Sequence, residues 1–91
     1  QLRQIEQRLR RVRQQIGRGK LARLPEALRQ YAASGEVPAD PLAAAYVRLT
    51  EAAQRCMVTC IGGDEATHEQ AVRAYEAALA EWQQTLQGGV L

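Results

Sequence analysis

The sequence is poor in the residues on which many specialised proteins depend. Its 91 residues include no phenylalanine, one tryptophan, one histidine and two cysteines. Two cysteines are too few for the disulfide framework of a small secreted domain, so the sequence predicts a cytoplasmic protein in a reducing environment. No apolar run approaches the roughly 20 residues of a membrane-spanning helix, so no membrane partner is predicted.

Motifs that carry catalysis are also missing. The chain has no glycine-rich phosphate loop, no pair of catalytic carboxylates and no helical His-Glu-His arrangement. These absences predict a protein that is not an enzyme and that takes no cofactor or small-molecule substrate. No segment shows the period-two alternation of a β-strand, and apolar residues recur instead at steps of three and four. The predicted fold class is therefore all-α.

The most informative pattern is a pair of apolar seams that mirror each other about Asp64. Leu42, Tyr46, Leu49, Ala53, Cys56 and Cys60 form the first seam, and His68, Val72, Tyr75, Leu79, Trp82 and Leu86 form the second. Residues three or four apart share one face of a helix, and the order of the steps is reversed in the second seam. Folding the chain back between the seams pairs Cys60 with His68, Cys56 with Val72, Ala53 with Tyr75, Leu49 with Leu79, Tyr46 with Trp82 and Leu42 with Leu86. The pattern predicts a small helical bundle built on an antiparallel helical hairpin of residues 41–61 and 65–87.

Capping residues mark the ends of the two hairpin helices. Asp40, which is followed by proline, is a good N-cap for the first helix. Gly62 is predicted to end that helix in the left-handed conformation. The second helix is predicted to begin either at Asp64 or at Thr67, since both side chains can cap a helix.

The N-terminal part of the chain is predicted to cover the hairpin with one or two helices. Residues 1–16 form a basic amphipathic helix in this prediction, and two glycines in the Gly17-Arg18-Gly19 segment interrupt it. A short helix is predicted within residues 20–33, and a start near Pro25 is favoured because proline suits a first turn. The length of the chain predicts a single domain over residues 1–91.

Two further apolar stripes are candidate interaction surfaces. Leu2, Ile5, Leu9, Val12 and Ile16 form the first, whose narrow spacing is typical of a coiled-coil seam. The second is a weaker strip opposite the seam of the first hairpin helix, and it contains Val47 and Val58. Either an N-terminal helix covers this strip, or it binds another copy or another protein. The predicted function is a non-catalytic protein–protein interaction, adaptor or assembly domain that self-associates through the Leu2–Ile16 stripe.

Charge is distributed unevenly along the chain. Residues 1–30 carry nine basic and two acidic side chains, whereas residues 31–91 carry three basic and eight acidic ones. The arginines of the basic segment include Arg3, Arg8, Arg10, Arg11, Arg13 and Arg18. In one interpretation, this half packs against the acidic hairpin of the same chain or of a partner. The alternative function is a nucleic-acid-binding accessory or regulatory protein, in which these arginines contact phosphates although no aromatic residues interleave with them for base stacking.

Cys56, Cys60 and His68 are the one constellation that suggests chemistry. The two cysteines are one helical turn apart, and the mirror register places the histidine beside Cys60. Because such ligands suit zinc or copper(I), a thiol-based metal or redox sensor is a third, distant hypothesis. The favoured interpretation is packing, since cysteine behaves as a small apolar residue. It predicts that both thiols are buried and unbridged, and that the His68 ring covers Cys60 with no metal bound.

Overall fold

The computed structural model describes residues 2–88, which form four α-helices. They are α1 (Leu2–Gln15), α2 (Leu24–Ser34), α3 (Pro41–Gly62) and α4 (Glu65–Gly88), with one turn of 3-10 helix at Gly19–Leu21. The structure is 85% helical, and no strand occurs between residues 2 and 88. The predicted all-α class is confirmed.

Helices α3 and α4 pack closely against each other and form the predicted antiparallel hairpin. The rings of Tyr46 and Trp82 meet edge to face, with centroids 5.8 Å apart and an interplanar angle of 62°. This contact confirms the Tyr46–Trp82 pair of the mirror register. Nearby, Arg48 Nε donates a hydrogen bond to Glu81 Oε1 at 2.7 Å across the two helices. Leu49, the next seam residue of α3, is completely buried.

Asp40 caps α3 as the sequence predicts. Its carboxylate accepts a hydrogen bond from the Leu42 amide at 3.0 Å and pairs with the guanidinium of Arg23, just before α2. Burial alone would raise the pKa of Asp40, but the hydrogen bonds from Arg23 and from backbone amides outweigh burial and lower that pKa. The ionised carboxylate therefore joins the beginning of α2 to the beginning of α3.

The turn of the hairpin differs from the prediction at its first glycine. Helix α3 continues through Gly62, and Gly63 ends it with an extended backbone (φ −98°, ψ 165°), so the left-handed conformation predicted for Gly62 is wrong. A Cβ atom on Gly63 would lie 3.0 Å from the Thr59 carbonyl oxygen, so this close approach favours glycine. Asp64 Oδ1 accepts a hydrogen bond from the Thr67 amide at 2.7 Å, which confirms Asp64 as the cap of α4.

The connection between α1 and α2 contains the predicted glycine turn. Gly17 and Gly19 both have positive φ angles, of 92° and 52°, which glycine adopts without steric cost. Helix α2 is shorter than the 20–33 segment, and its start one residue before Pro25 confirms the predicted position. Proline fits the first turn of a helix but disrupts its interior.

The core lies where the two N-terminal helices cover the hairpin. Apolar side chains of α1, of the connection to α2 and of both hairpin helices form one buried cluster. Helices α1 and α2 both contact α3, which is therefore the central helix of the bundle. Within residues 2–88, no helix combines the length and the apolar character that crossing a lipid bilayer requires.

Candidate functional site

The Leu2–Ile16 stripe faces the core of its own chain. Ile5, Leu9 and Val12 are 6, 5 and 9% exposed, and Leu2 and Ile16 are half-buried against the same cluster. The remaining positions of α1 are polar, so this burial leaves the helix no apolar face for another chain. Pairing of two copies through this stripe would therefore require α1 to leave the hairpin.

The second strip is buried at one end and exposed at the other. Val47 is 3% exposed and lies on the same face of α3 as Glu51, whose carboxylate accepts a hydrogen bond from the Tyr31 hydroxyl of α2 at 2.7 Å. At Val47 the strip is therefore covered by an N-terminal helix of the same chain, which is the first of the two predicted alternatives. Helix α2 ends before it reaches the other end of the strip, where Val58 is 62% exposed and Ile61, one turn further on, is 89% exposed.

The exposed end of this strip adjoins a groove between α3 and α4. Two neighbouring concavities of about 500 and 450 Å³ share Glu51, Arg55 and Ala74, so they form one continuous surface. Small side chains line much of it, namely Ala52, Ala71, Ala74, Ala77 and Ala78. No residue of α1 or α2 contributes to this lining. We call this surface the alanine groove.

The rim of the alanine groove carries charges of both signs. Arg48 and Arg55 lie there beside Glu51 and Glu81, and Arg48 pairs with Glu81 between the two helices. From Arg48 to Val58 the groove follows α3 for about 15 Å, at a rise of roughly 1.5 Å per residue. Small side chains on both walls allow a further helix to approach closely, because the distance between packed helices depends on the side chains at the contact.

The six N-terminal arginines are all exposed. Arg3, Arg8, Arg10, Arg11, Arg13 and Arg18 are distributed around α1 and the turn that follows it. The ion pairs found between residues 2 and 88 join Arg23 with Asp40, Arg29 with Glu26 and Arg48 with Glu81, and involve none of the six. None of the six thus forms an ion pair with the hairpin within this range, and the basic half of the chain is joined to it through Arg23 and Asp40 instead. These arginines are spread over several faces of α1 and do not form one flat basic surface.

The two thiols lie in different environments. Cys56 is completely buried, and burial raises the pKa of its thiol. Cys60 is exposed, so its predicted burial is wrong, and both cysteines are unbridged. At the tip of the hairpin, half-buried Thr59 rather than Cys60 faces α4.

His68 accordingly contacts Thr59. Its Nδ1 atom lies 3.0 Å from the Thr59 hydroxyl oxygen, so the predicted covering of Cys60 by the ring is replaced by a polar contact one residue earlier. Cys56 faces the core and Cys60 faces outward, so the three metal-ligand candidates do not converge. Among residues 2–88, no group of three His, Cys, Asp or Glu side chains is arranged to hold a metal ion.

No protein-family model, curated protein or solved structure matches this chain. Of the alanine groove, only Val58 was among the site residues predicted from the sequence. The signal for the groove is the spacing of Ala71, Ala74 and Ala78, which places small residues on one side of α4 beside the seam.

Proposed function

We propose that this chain is a non-catalytic assembly domain in which two copies pair through their alanine grooves. The observation that carries the proposal is the uncovered groove, with small side chains on both of its helices and exposed Val58 at one end. Removing apolar surface from water is favourable by roughly 25 cal/mol per Å². Because α1 and α2 do not line the groove, a second chain reaches it without rearrangement of the first.

The charges on the rim favour a second copy as the partner. The groove carries Arg48 and Arg55 together with Glu51 and Glu81, so the charges balance. In a two-fold symmetric pair the same surface meets itself, and each arginine can then face a glutamate of the other copy. A rim of a single sign would repel its own copy instead.

The size of the groove indicates weak pairing. A surface about 15 Å long and about 20 Å wide, the width of two helices, offers roughly 300 Å² per copy. A standard stable interface buries about 800 Å² per partner. We therefore expect monomer and dimer to exchange, with dissociation at micromolar or higher concentration rather than a permanent dimer.

Sedimentation velocity over a range of protein concentrations tests this proposal. Ala74 is exposed and belongs to both concavities, so Ala74→Glu places a charge at the centre of the groove without disturbing the core. The matched control is Ala80→Glu, which makes the same change on an exposed position of α4 outside the groove. Circular dichroism checks that both variants keep their helices.

We expect the wild type and Ala80→Glu to sediment faster as concentration rises, and Ala74→Glu to stay monomeric. Unchanged association of Ala74→Glu would exclude the groove as the contact. A wild type that stays monomeric throughout, including at millimolar concentration, would exclude self-assembly.

A second candidate function is binding of a nucleic acid through the N-terminal arginines. The observation in its favour is that all six are exposed and that none of them joins an ion pair within residues 2–88. Arginines that contact phosphates release counterions, so such binding weakens steeply with added salt. Their distribution around α1 and the absence of neighbouring aromatic residues make this the less favoured function.

Fluorescence anisotropy with a short duplex and a single strand distinguishes this candidate from self-assembly. If α1 binds phosphates, the double variant Arg10→Glu, Arg13→Glu must weaken binding and reduce its salt dependence. Ala74→Glu should leave this binding unchanged. Equal binding by the double variant would rule out the arginines as the contact.

A further inference from the structure

A cleft of about 320 Å³ separates α1 from α4, and its lining shares no residue with the alanine groove. Part of the lining is apolar, with Leu2 and Ile5 from α1 and Val72 and Leu79 from α4. Arg8 of α1 and Glu76 of α4 also line the cleft. The cleft thus combines an apolar wall with one charge of each sign.

Tyr75 lines the same cleft and carries a hydroxyl group whose proton has no acceptor. Its side chain is 5% exposed, and the guanidinium of Arg8, which can only donate, is the one group of the described chain close enough to pair with its Oη atom. Burial raises the pKa of this phenol, which is therefore a protonated donor at neutral pH. Buried polar groups are almost always paired, so this donor is available to an acceptor from outside the chain.

Arg8 lies close to this hydroxyl. Its charge opposes the rise that burial causes in the pKa of Tyr75. Arg8 forms no ion pair with another residue between 2 and 88. A guanidinium and a phenol can donate to the two oxygens of one carboxylate, and hydrogen bonds to a charged acceptor are the strong ones.

We propose that the cleft between α1 and α4 binds a small amphiphilic carboxylate, which Arg8 and Tyr75 hold by its carboxylate group. The apolar part of the ligand lies against Val72 and Leu79. A volume of about 320 Å³ is at the lower end of ligand pockets and suits a ligand with one ring or a short branched chain. This site does not depend on pairing through the alanine groove, so either proposal can fail without the other.

Titration of the isotope-labelled full chain with 4-phenylbutyrate, followed by amide chemical shifts, tests the site. The neutral analogue 4-phenylbutanol tests whether the charge matters. Arg8→Gln removes the charge, Tyr75→Phe removes the hydroxyl while keeping the ring, and Arg11→Gln is the matched control on an exposed position of α1 outside the cleft. Each variant is first shown to keep the amide spectrum of a folded chain.

We expect saturable shifts around Arg8, Val72 and Tyr75, with much weaker shifts for the alcohol. Arg8→Gln should weaken binding about tenfold and Tyr75→Phe several-fold, while Arg11→Gln should not change it. Equal binding of the alcohol, an equal loss in Arg11→Gln, or unchanged binding in Tyr75→Phe would each overturn the proposed contacts. The absence of saturation up to millimolar probe would overturn the site.

Discussion

Cys56 and Tyr75 are neighbouring groups of the core, and burial raises the pKa of each. Cys60 is one helical turn from Cys56 but is exposed. A thiol reacts through its thiolate form, which burial disfavours. The reactivity of the two thiols therefore measures how tightly α3 is packed at two points.

We expect Cys60 to react with a thiol reagent in the folded protein, and Cys56 to react only when the chain unfolds. The reason is that Cys56 is both inaccessible and less readily ionised. Titration with Ellman's reagent should show one fast thiol and a second one after denaturant is added. The control Cys60→Ser should lose the fast reaction alone, and two fast thiols in the native protein would contradict the packing of the hairpin.

At the scale of helices, Asp40 connects two elements. It caps α3 through the Leu42 amide and pairs with Arg23 before α2. These hydrogen bonds stabilise the charged form of the carboxylate and lower its pKa despite burial. The contribution of this group to stability is therefore present above the usual aspartate pKa of about 3.9 and is lost as pH falls through the lower pKa of the folded state.

Replacing Asp40 with alanine should reduce the free energy of unfolding at neutral pH by about 1 kcal/mol, the usual cost of losing an N-cap. The difference from the wild type should shrink below pH 4 or so, since the carboxylate becomes protonated there. Urea unfolding at several pH values measures both effects. The control Asp40→Asn keeps a capping oxygen without the charge and should retain most of the stability with less pH dependence. If the loss of unfolding free energy in Asp40→Ala stayed the same at every acidic pH, the charge of Asp40 would not contribute to stability.

At the same scale, a substitution in α1 tests whether its apolar stripe belongs to the core of its own chain. Leu9 is 5% exposed in the core, so Leu9→Asp places a charge there and should greatly reduce stability or detach α1. Gln7→Asp makes a comparable change on an exposed position and should have little effect. Thermal unfolding followed by circular dichroism distinguishes the two. If Leu9→Asp instead gave a stable monomer from a dimeric wild type, the stripe would be a seam between copies.

The hairpin could be predicted from the sequence because its apolar residues repeat at helical spacing on both sides of the turn. Tyr46 and Trp82 meet where that repeat places them. The conformation of the turn could not be predicted in the same way, because two adjacent glycines allow several backbone conformations. The one adopted depends on the contact with Thr59. The spacing of three and four residues allows either Thr59 or Cys60 to meet His68 at the end of the hairpin, and in the structure Thr59 makes this contact.

At the scale of the whole molecule, the two surfaces of interest depend on where α1 and α2 lie on the hairpin. Helix α2 is short and covers Val47 but leaves Val58 exposed, and neither N-terminal helix lines the alanine groove. The opposite flank of α4 faces α1 across the cleft. Periodicity identifies the face that each helix buries, but it does not specify which flank of the hairpin each helix covers, so neither surface could be located from the sequence.

Intermolecular paramagnetic relaxation enhancement tests the pairing of grooves most directly. Cys60 is exposed near the Val58 end of the groove and accepts a nitroxide label without mutation, while Cys56 is buried. Mixing the labelled chain with an isotope-labelled chain should broaden the amide signals of Ala71 and Ala74 in the second chain. Signals from the α1–α4 cleft should be unaffected, and Ala74→Glu in the observed chain should abolish the broadening. Broadening confined to α1, or none at concentrations where the chains associate, would contradict assembly through the alanine groove.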